Sequence, residues 1–112
     1  MAEPQPLEVD IDTVRQWIGT RPEFALVDCR EPAEAEIARI AGAELIPMSQ
    51  WADATAQLEA LKGKHVVVHC HHGGRSLRVA QWMRANGFPE AQSMAGGIDA
   101  WSQQIDPAIP RY

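Results

Sequence analysis

Three observations predict an α/β fold with a mainly parallel sheet. Short apolar runs alternate with stretches of helical periodicity, the pattern of strands joined by crossover helices. The run Val66-Val67-Val68 is continuously apolar, as in a parallel strand buried on both faces. No repeat or linker breaks the alternation, and 112 residues suit one domain with its own core. Right-handed crossovers then put helices on both faces of the sheet.

The elements follow in order. Residues 1–6 hold two prolines and read as a loose lead-in. Leu7 to Val9 is a short edge strand. Asp10 is an N-cap, with Val9 and Val14 placed for a hydrophobic staple. The helix runs to about Ile18 and ends at Gly19. Trp17 reads as core or rim. Phe24 to Asp28 is a strand. Pro32 suits a first helical turn, and that helix continues through Ile37. Glu34 and Glu36 read as its solvated face.

Ala43 to Ile46 is a strand closed by Pro47, and Ser49 caps a short turn around Trp51. A helix from Thr55 to Leu61 buries Leu58 and Leu61 and stops at Gly63. Val66 to His69 is the central strand. The next helical pattern opens at Ser76, with Val79, Ala80 and Met83 on one face. It ends at Gly87, where Phe88 meets Met83 in a Schellman-type close and Pro89 prevents continuation. Ala91 to Met94 is the fifth strand. Gly96-Gly97 leads into a last helix with Ile98 and Trp101. Residues 106–112 hold two prolines and read as a tail extended along the surface.

Composition narrows the function classes. Hydrophobic residues make up 46%, so a packed globule is expected rather than disorder. A net charge of −5 argues against nucleic acid as the main partner. No apolar run is long enough to span a membrane. Met1-Ala2-Glu3-Pro4 lacks the basic start and apolar core of a secretory signal. Two cysteines make no disulfide framework. A reducing, cytoplasmic location is the expectation.

The chemistry concentrates in the stretch after the central strand, His69-Cys70-His71-His72-Gly73-Gly74-Arg75-Ser76. Two glycines allow backbone angles that other residues avoid. A tight loop entering a helix gathers N–H groups around the side chain that starts it, and the helix N-terminus adds partial positive charge. A cysteine there holds a low-pKa, nucleophilic thiolate. The bland alternative, a buried apolar thiol, fits the flanking Gly-Gly-Arg-Ser poorly. In such sheets ligands bind beyond the carboxyl ends of the strands. Cys70 sits at that edge, and so do Asp28, Cys29 and Arg30 at the end of another strand.

Cys70, Gly73 and Arg75 resemble the active-site loop of rhodanese-like sulfurtransferases, with its order of Cys, two residues, Gly, one residue, Arg. Leu26-Val27-Asp28-Cys29-Arg30-Glu31-Pro32 resembles the family's early strand and turn. Ile40-Ala41-Gly42-Ala43 with Ile46-Pro47 resembles its next landmark. Met94-Ala95-Gly96-Gly97-Ile98-Asp99-Ala100-Trp101 resembles the closing one. Ala38-Arg39 departs from the Gly-His that often precedes the second landmark. The resemblance implies a rhodanese-like fold over residues 1–112 as one domain, with five strands and helices on both faces. It implies that the strands ending at Asp28 and His69 are neighbours. It also implies thiosulfate sulfurtransferase activity without a cofactor. A sulfane sulfur would pass through a Cys70 persulfide to cyanide in vitro or to a thiol, from thiosulfate or a persulfidated protein.

His71, His72, Gly73, Gly74, Arg75 and Ser76 form the expected binding loop, with Asp28, Arg30 and Glu31 in support. Two roles stand open for Arg75. It attracts an anionic donor, or it pairs with Asp28 or Glu31 and fixes the loop. His71 and His72 line the mouth of the pocket, and no metal is expected, because adjacent residues rarely converge on one ion. A cysteine phosphatase or arsenate reductase on the same fold is the rival reading. Its loop is one residue longer between Cys and Arg. The four residues 71–74 of this chain leave room for a single sulfur. A non-catalytic sulfur-carrier or regulatory module is the third. Cys29 is either core packing or a redox partner of Cys70, at a strand spacing of about 4.8 Å that a disulfide can bridge.

Overall fold

The computed structural model describes residues 6–112, apart from the side chain of Ala52. Residues 1–5, most of the expected lead-in, lie outside the described residues. The elements are β1 (Glu8–Val9), α1 (Ile11–Trp17), β2 (Phe24–Asp28), α2 (Pro32–Ile37) and β3 (Glu44–Leu45). A 3-10 turn (Met48–Asp53) follows, then α3 (Thr55–Leu61), β4 (His65–His69), α4 (Gly74–Ala85), β5 (Gln92–Met94) and α5 (Gly97–Gln104). The five strands form one sheet in the order β1-β5-β4-β2-β3. Every pairing is parallel. Among the described residues, no helix is long and apolar enough to cross a membrane.

Side-chain alternation divides the core. Val27, Cys29, Val66, Val68 and Cys70 face one way and pack with Trp51, Leu61, Val79 and Met83 from the 3-10 turn, α3 and α4. Leu26, Val67 and Met94 face the other way and pack with Ile11, Val14, Ile98 and Trp101 from α1 and α5. Successive strand residues point to opposite faces. β4 therefore needs apolar residues at consecutive positions, and all five of its residues are buried.

Local signals set most boundaries. The Asp10 carboxylate accepts from the Thr13 N–H at 2.8 Å, capping α1. Pro32 stands in the first turn of α2. The Phe88 N–H donates to the Met83 carbonyl at 3.0 Å with Gly87 at φ +97°, closing α4 as the spacing predicts. Trp17 is half-buried at the rim, with the Arg21 guanidinium 4.8 Å from its ring centre. Ser49 does not cap the turn around Trp51; it lies inside the 3-10 turn, and its hydroxyl donates to Glu31 at 2.7 Å. The tail is not simply extended. The Ile109 N–H donates to the Asp106 carbonyl at 3.1 Å. That turn sends the chain back to the carboxyl ends of the strands.

Candidate active site

β2 and β4 run side by side with Asp28 opposite His69, so Cys29 and Cys70 leave the sheet together. The Cys29 N–H donates to the His69 carbonyl at 3.0 Å, extending the ladder by one bond. Both cysteines are free and buried, and both point to the α4 side. Their thiols stand close enough to influence each other's ionisation.

The loop then folds around the Cys70 sulfur. The Gly73 N–H donates to Sγ at 3.1 Å and the Ser76 N–H at 3.4 Å. Ser76 Oγ stands 3.4 Å from the sulfur. When Cys70 is a thiolate the hydroxyl is the donor, since the sulfur has no proton to give. Ser93 Oγ, 2.7 Å from Ser76 Oγ, then serves as donor to that hydroxyl. Ser93 is fully buried on β5, and nothing in the sequence marks a serine in so short a strand as part of the site.

The N–H contact requires Gly73 at φ +111°, a conformation side chains disfavour. Gly74 has no such need: it keeps ordinary backbone angles and is the first residue of α4. The helix therefore begins two residues earlier than the periodicity from Ser76 predicts. An unbranched Gly-Arg pair leaves no side-chain signal of a helix start.

The N-terminus of α5 holds the loop from below. Ile98 N–H donates to the Cys70 carbonyl at 2.9 Å, and Asp99 N–H donates to the His71 carbonyl at 3.0 Å. In a trans peptide the C=O and N–H point opposite ways. Tying both carbonyls to α5 therefore turns the next two N–H groups away from it. Gly97 makes the approach possible, because a Cβ there would stand 2.4 Å from the His71 carbonyl oxygen.

These contacts make Cys70 acidic. The neighbouring Cys29 thiol acts most, then the Ser76 and Gly73 donors, and together they outweigh burial and bring the thiol down to about 4. The same proximity pushes the Cys29 thiol up, reinforced by burial and by the negative charges of Cys70 and Asp28. The pair thus keeps one proton on Cys29 and a thiolate on Cys70.

The charged neighbours are arranged differently from expectation. Arg75 pairs with neither Asp28 nor Glu31. Its two terminal nitrogens donate to the two Glu34 oxygens at 2.7 and 2.8 Å. Glu34 is not a solvated helix residue; Arg75 first and then the Tyr112 hydroxyl hold its carboxyl at about 2, against burial. Asp28 instead binds Arg30 through Nε at 2.9 Å and Nη2 at 2.7 Å. Arg30 is fully buried, and its Nη2 also donates to the Ala38 carbonyl at 2.6 Å. Glu31 accepts the Ser49 hydroxyl and so fixes the 3-10 turn. Asp28, Arg30 and Glu31 build the corner behind the loop, and their hydrogen bonds go to one another, to Ala38 and to Ser49 rather than to Cys70. His69 is fully buried, its Nε2 makes no hydrogen bond and lies 4.0 Å from Asp28 Oδ2, and burial lowers its basicity.

His71 and His72 do lie at the rim, ring on ring at 3.9 Å. With Asp99 their ligand atoms lie within 4.8 Å of one another. Asp99, however, already accepts from Arg111 Nε at 3.0 Å and Gln103 Nε2 at 2.9 Å, so its charge is compensated.

Comparison with known proteins agrees with this geometry. A family model for the rhodanese-like domain matches residues 10–104. The rhodanese-like/PpiC domain-containing protein 12 of Arabidopsis thaliana, described as chloroplastic, is 43% identical over 94 residues, 80% of this chain and 31% of that protein. The chain thus spans about a third of that relative's length. A protein of Allochromatium vinosum named sulfurtransferase is 28% identical over 102 residues, covering 91% of this chain and 94% of its own. The solved structure of the human single-domain sulfurtransferase TSTD1 superposes with a TM-score of 0.76 at 25% identity, covering 89% of this chain and 98% of that one.

Proposed function

This chain belongs to the rhodanese-like domain family, and from that premise we propose that it is a sulfurtransferase working through a Cys70 persulfide. The observation that carries the reading is the Cys70 sulfur, faced by the Gly73 and Ser76 N–H groups at 3.1 and 3.4 Å, donors placed to favour a thiolate. The thiolate attacks the sulfane sulfur of a donor such as thiosulfate. A Cys70–sulfur bond forms, the donor's S–S bond breaks, and sulfite leaves with the bonding pair. The outer sulfur becomes the new anion, which the same amides stabilise. An acceptor, cyanide or a thiolate, then attacks that outer sulfur and Cys70 leaves as the thiolate. No external oxidant or cofactor enters the balance. The donor is thiosulfate or a persulfidated protein, with neither nucleic acid nor membrane as partner. Two free cysteines suit a reducing compartment such as the cytoplasm.

Phosphate or arsenate chemistry fits less well. The four residues 71–74 between Cys70 and Arg75, one fewer than in a cysteine phosphatase, leave room at the thiolate for a single sulfur rather than for a phosphate held around its centre. The deciding experiment compares thiosulfate–cyanide turnover with hydrolysis of an aryl phosphate by the same preparation. Steady thiocyanate formation is expected, with phosphate release at background. Faster phosphate release would reverse the assignment, and no turnover of either would leave a binding module.

Cys29 is proposed as the resolving thiol of the same site. Mild peroxide converts the Cys70 thiolate to a sulfenic acid. The Cys29 sulfur then attacks it, forming a disulfide and releasing water. Peptide mapping after peroxide is expected to show Cys29 linked to Cys70, reversible by reductant. In Cys29→Ala, Cys70 oxidises onward to sulfinic acid, and its alkylation midpoint moves up from about 4. A freely alkylatable Cys29 after peroxide, with Cys70 already sulfinic, reduces Cys29 to packing.

A further inference from the structure

The nucleophile is closed off. Cys70 is 1% exposed, so a donor reaches it only when something at the rim gives way. What covers the loop comes from far along the chain. The Tyr112 ring lies flat on His71, the residue after Cys70, with centres 3.8 Å apart and planes 5° apart. Its hydroxyl accepts from Arg30 Nη1 at 2.9 Å and donates to Glu34 Oε2 at 2.8 Å. Glu34 is the residue that holds Arg75. One side chain thus bridges the β2–α2 corner and the catalytic loop, touching both sides of the rim.

The segment carrying it lies on the surface, packed on the core through Ile109 alone. Residues 106–112 are exposed apart from Ile109, which is half-buried. Tyr112 itself keeps 36% of its surface in water. A segment with few buried contacts opens at low free-energy cost, well below that of global unfolding. Opening must break the aromatic stack and the two hydroxyl bonds, together with the Arg111–Asp99 pair at 3.0 Å and the bond from the Ser102 hydroxyl to the Ile109 carbonyl.

We infer that Tyr112 is a specificity-determining lid over Cys70. It admits compact anions and small nucleophiles of thiosulfate or cyanide size by small displacements. Bulky acceptors, protein-borne thiols included, enter only when the 106–112 segment swings away. The inference deepens the sulfur-transfer reading by assigning the size class of its substrates. Access to the thiolate itself is independent of that reading, so it is the better quantity to measure.

The test alkylates the native full chain with iodoacetamide and with a bulky dye-maleimide, in wild type, Tyr112→Phe and Tyr112→Ala. Peptide mapping assigns the adduct to Cys70, and thermal midpoints report any loss of fold. In Tyr112→Ala the bulky reagent is expected to react about tenfold faster or more, and iodoacetamide less than about threefold faster. Tyr112→Phe keeps the stack and loses the hydroxyl bonds, so it falls between. Equal acceleration of both reagents would mean general loosening and overturn the lid, as would an unchanged bulky rate in Tyr112→Ala. These rates decide the lid even if thiosulfate–cyanide turnover proves absent. If turnover is present, Tyr112→Ala also raises kcat/KM for a bulky thiol acceptor relative to cyanide.

Discussion

Cys70→Ser is expected to abolish sulfur transfer while leaving the fold intact. After thiosulfate treatment and gel filtration, wild type gains the mass of one sulfur atom, reversible by cyanide, and the variant gains none. Turnover falls by roughly four orders of magnitude or more, because the covalent route itself is lost. The fold survives because an oxygen fits the volume of the sulfur, and Ser76 and Gly73 still have an acceptor to face. The pH profile adds a second reading of the same residue. With the thiol held at about 4, the attacking thiolate is present across the neutral range. Its reaction with thiosulfate is therefore flat from about pH 6 to about pH 9, where an ordinary thiol loses about tenfold per unit on acidification. Protonation removes the nucleophile only as pH falls through the folded value. Sulfur loading that persists in Cys70→Ser would move the chemistry to another residue.

Gly97→Ala is expected to be the most damaging single methyl in the chain. The new Cβ would stand 2.4 Å from the His71 carbonyl oxygen and 2.6 Å from that of Cys70, both backbone atoms, at a backbone φ of +60°. The loop must move away from α5, breaking the Ile98 and Asp99 bonds that orient its peptides. A loss of about 2–4 kcal/mol of stability follows from the overpacking and the left-handed backbone. Sulfur transfer falls further than stability explains, since the amides facing the Cys70 sulfur are misplaced. Gly74→Ala is the control. Nothing stands within 4 Å of a Cβ there, and its backbone is helical. It is expected to be neutral or to stabilise by about 0.5–1 kcal/mol. Urea unfolding and thiocyanate formation on both variants check the contrast. Equal effects at the two glycines would show that the α5 contact does not shape the loop.

Much of this protein is legible in its residues because much of its structure is local. Asp10 caps α1 through a residue three positions away. Pro32 and Gly87 bound helices through their own backbone restrictions. β4 reads as a central strand because its neighbours need apolar side chains on both faces. Cys70 reads as the nucleophile because the donors to its sulfur, Gly73 and Ser76, lie within six positions of it. In each case the signal and its partner sit within a turn or two of chain.

Tertiary structure decided the partners. Arg75 requires a carboxylate, and its sequence does not say which. Asp28 is already taken by Arg30, and Glu31 by Ser49. The register of β2 against β4 brings Glu34, 41 positions away, to the two free guanidinium nitrogens. Ser93 joins the sulfur's hydrogen-bond relay only because β5 lies beside β4. Tyr112 reaches Glu34 across 78 positions, through a turn at Asp106 that the prolines suggest but do not aim. Sequence determined the candidate nucleophile, the loop around it and the strands that carry it, because those depend on short-range backbone and packing rules. Which charges pair across the site, and what covers it, depend on distances between elements that exist only once the sheet has formed.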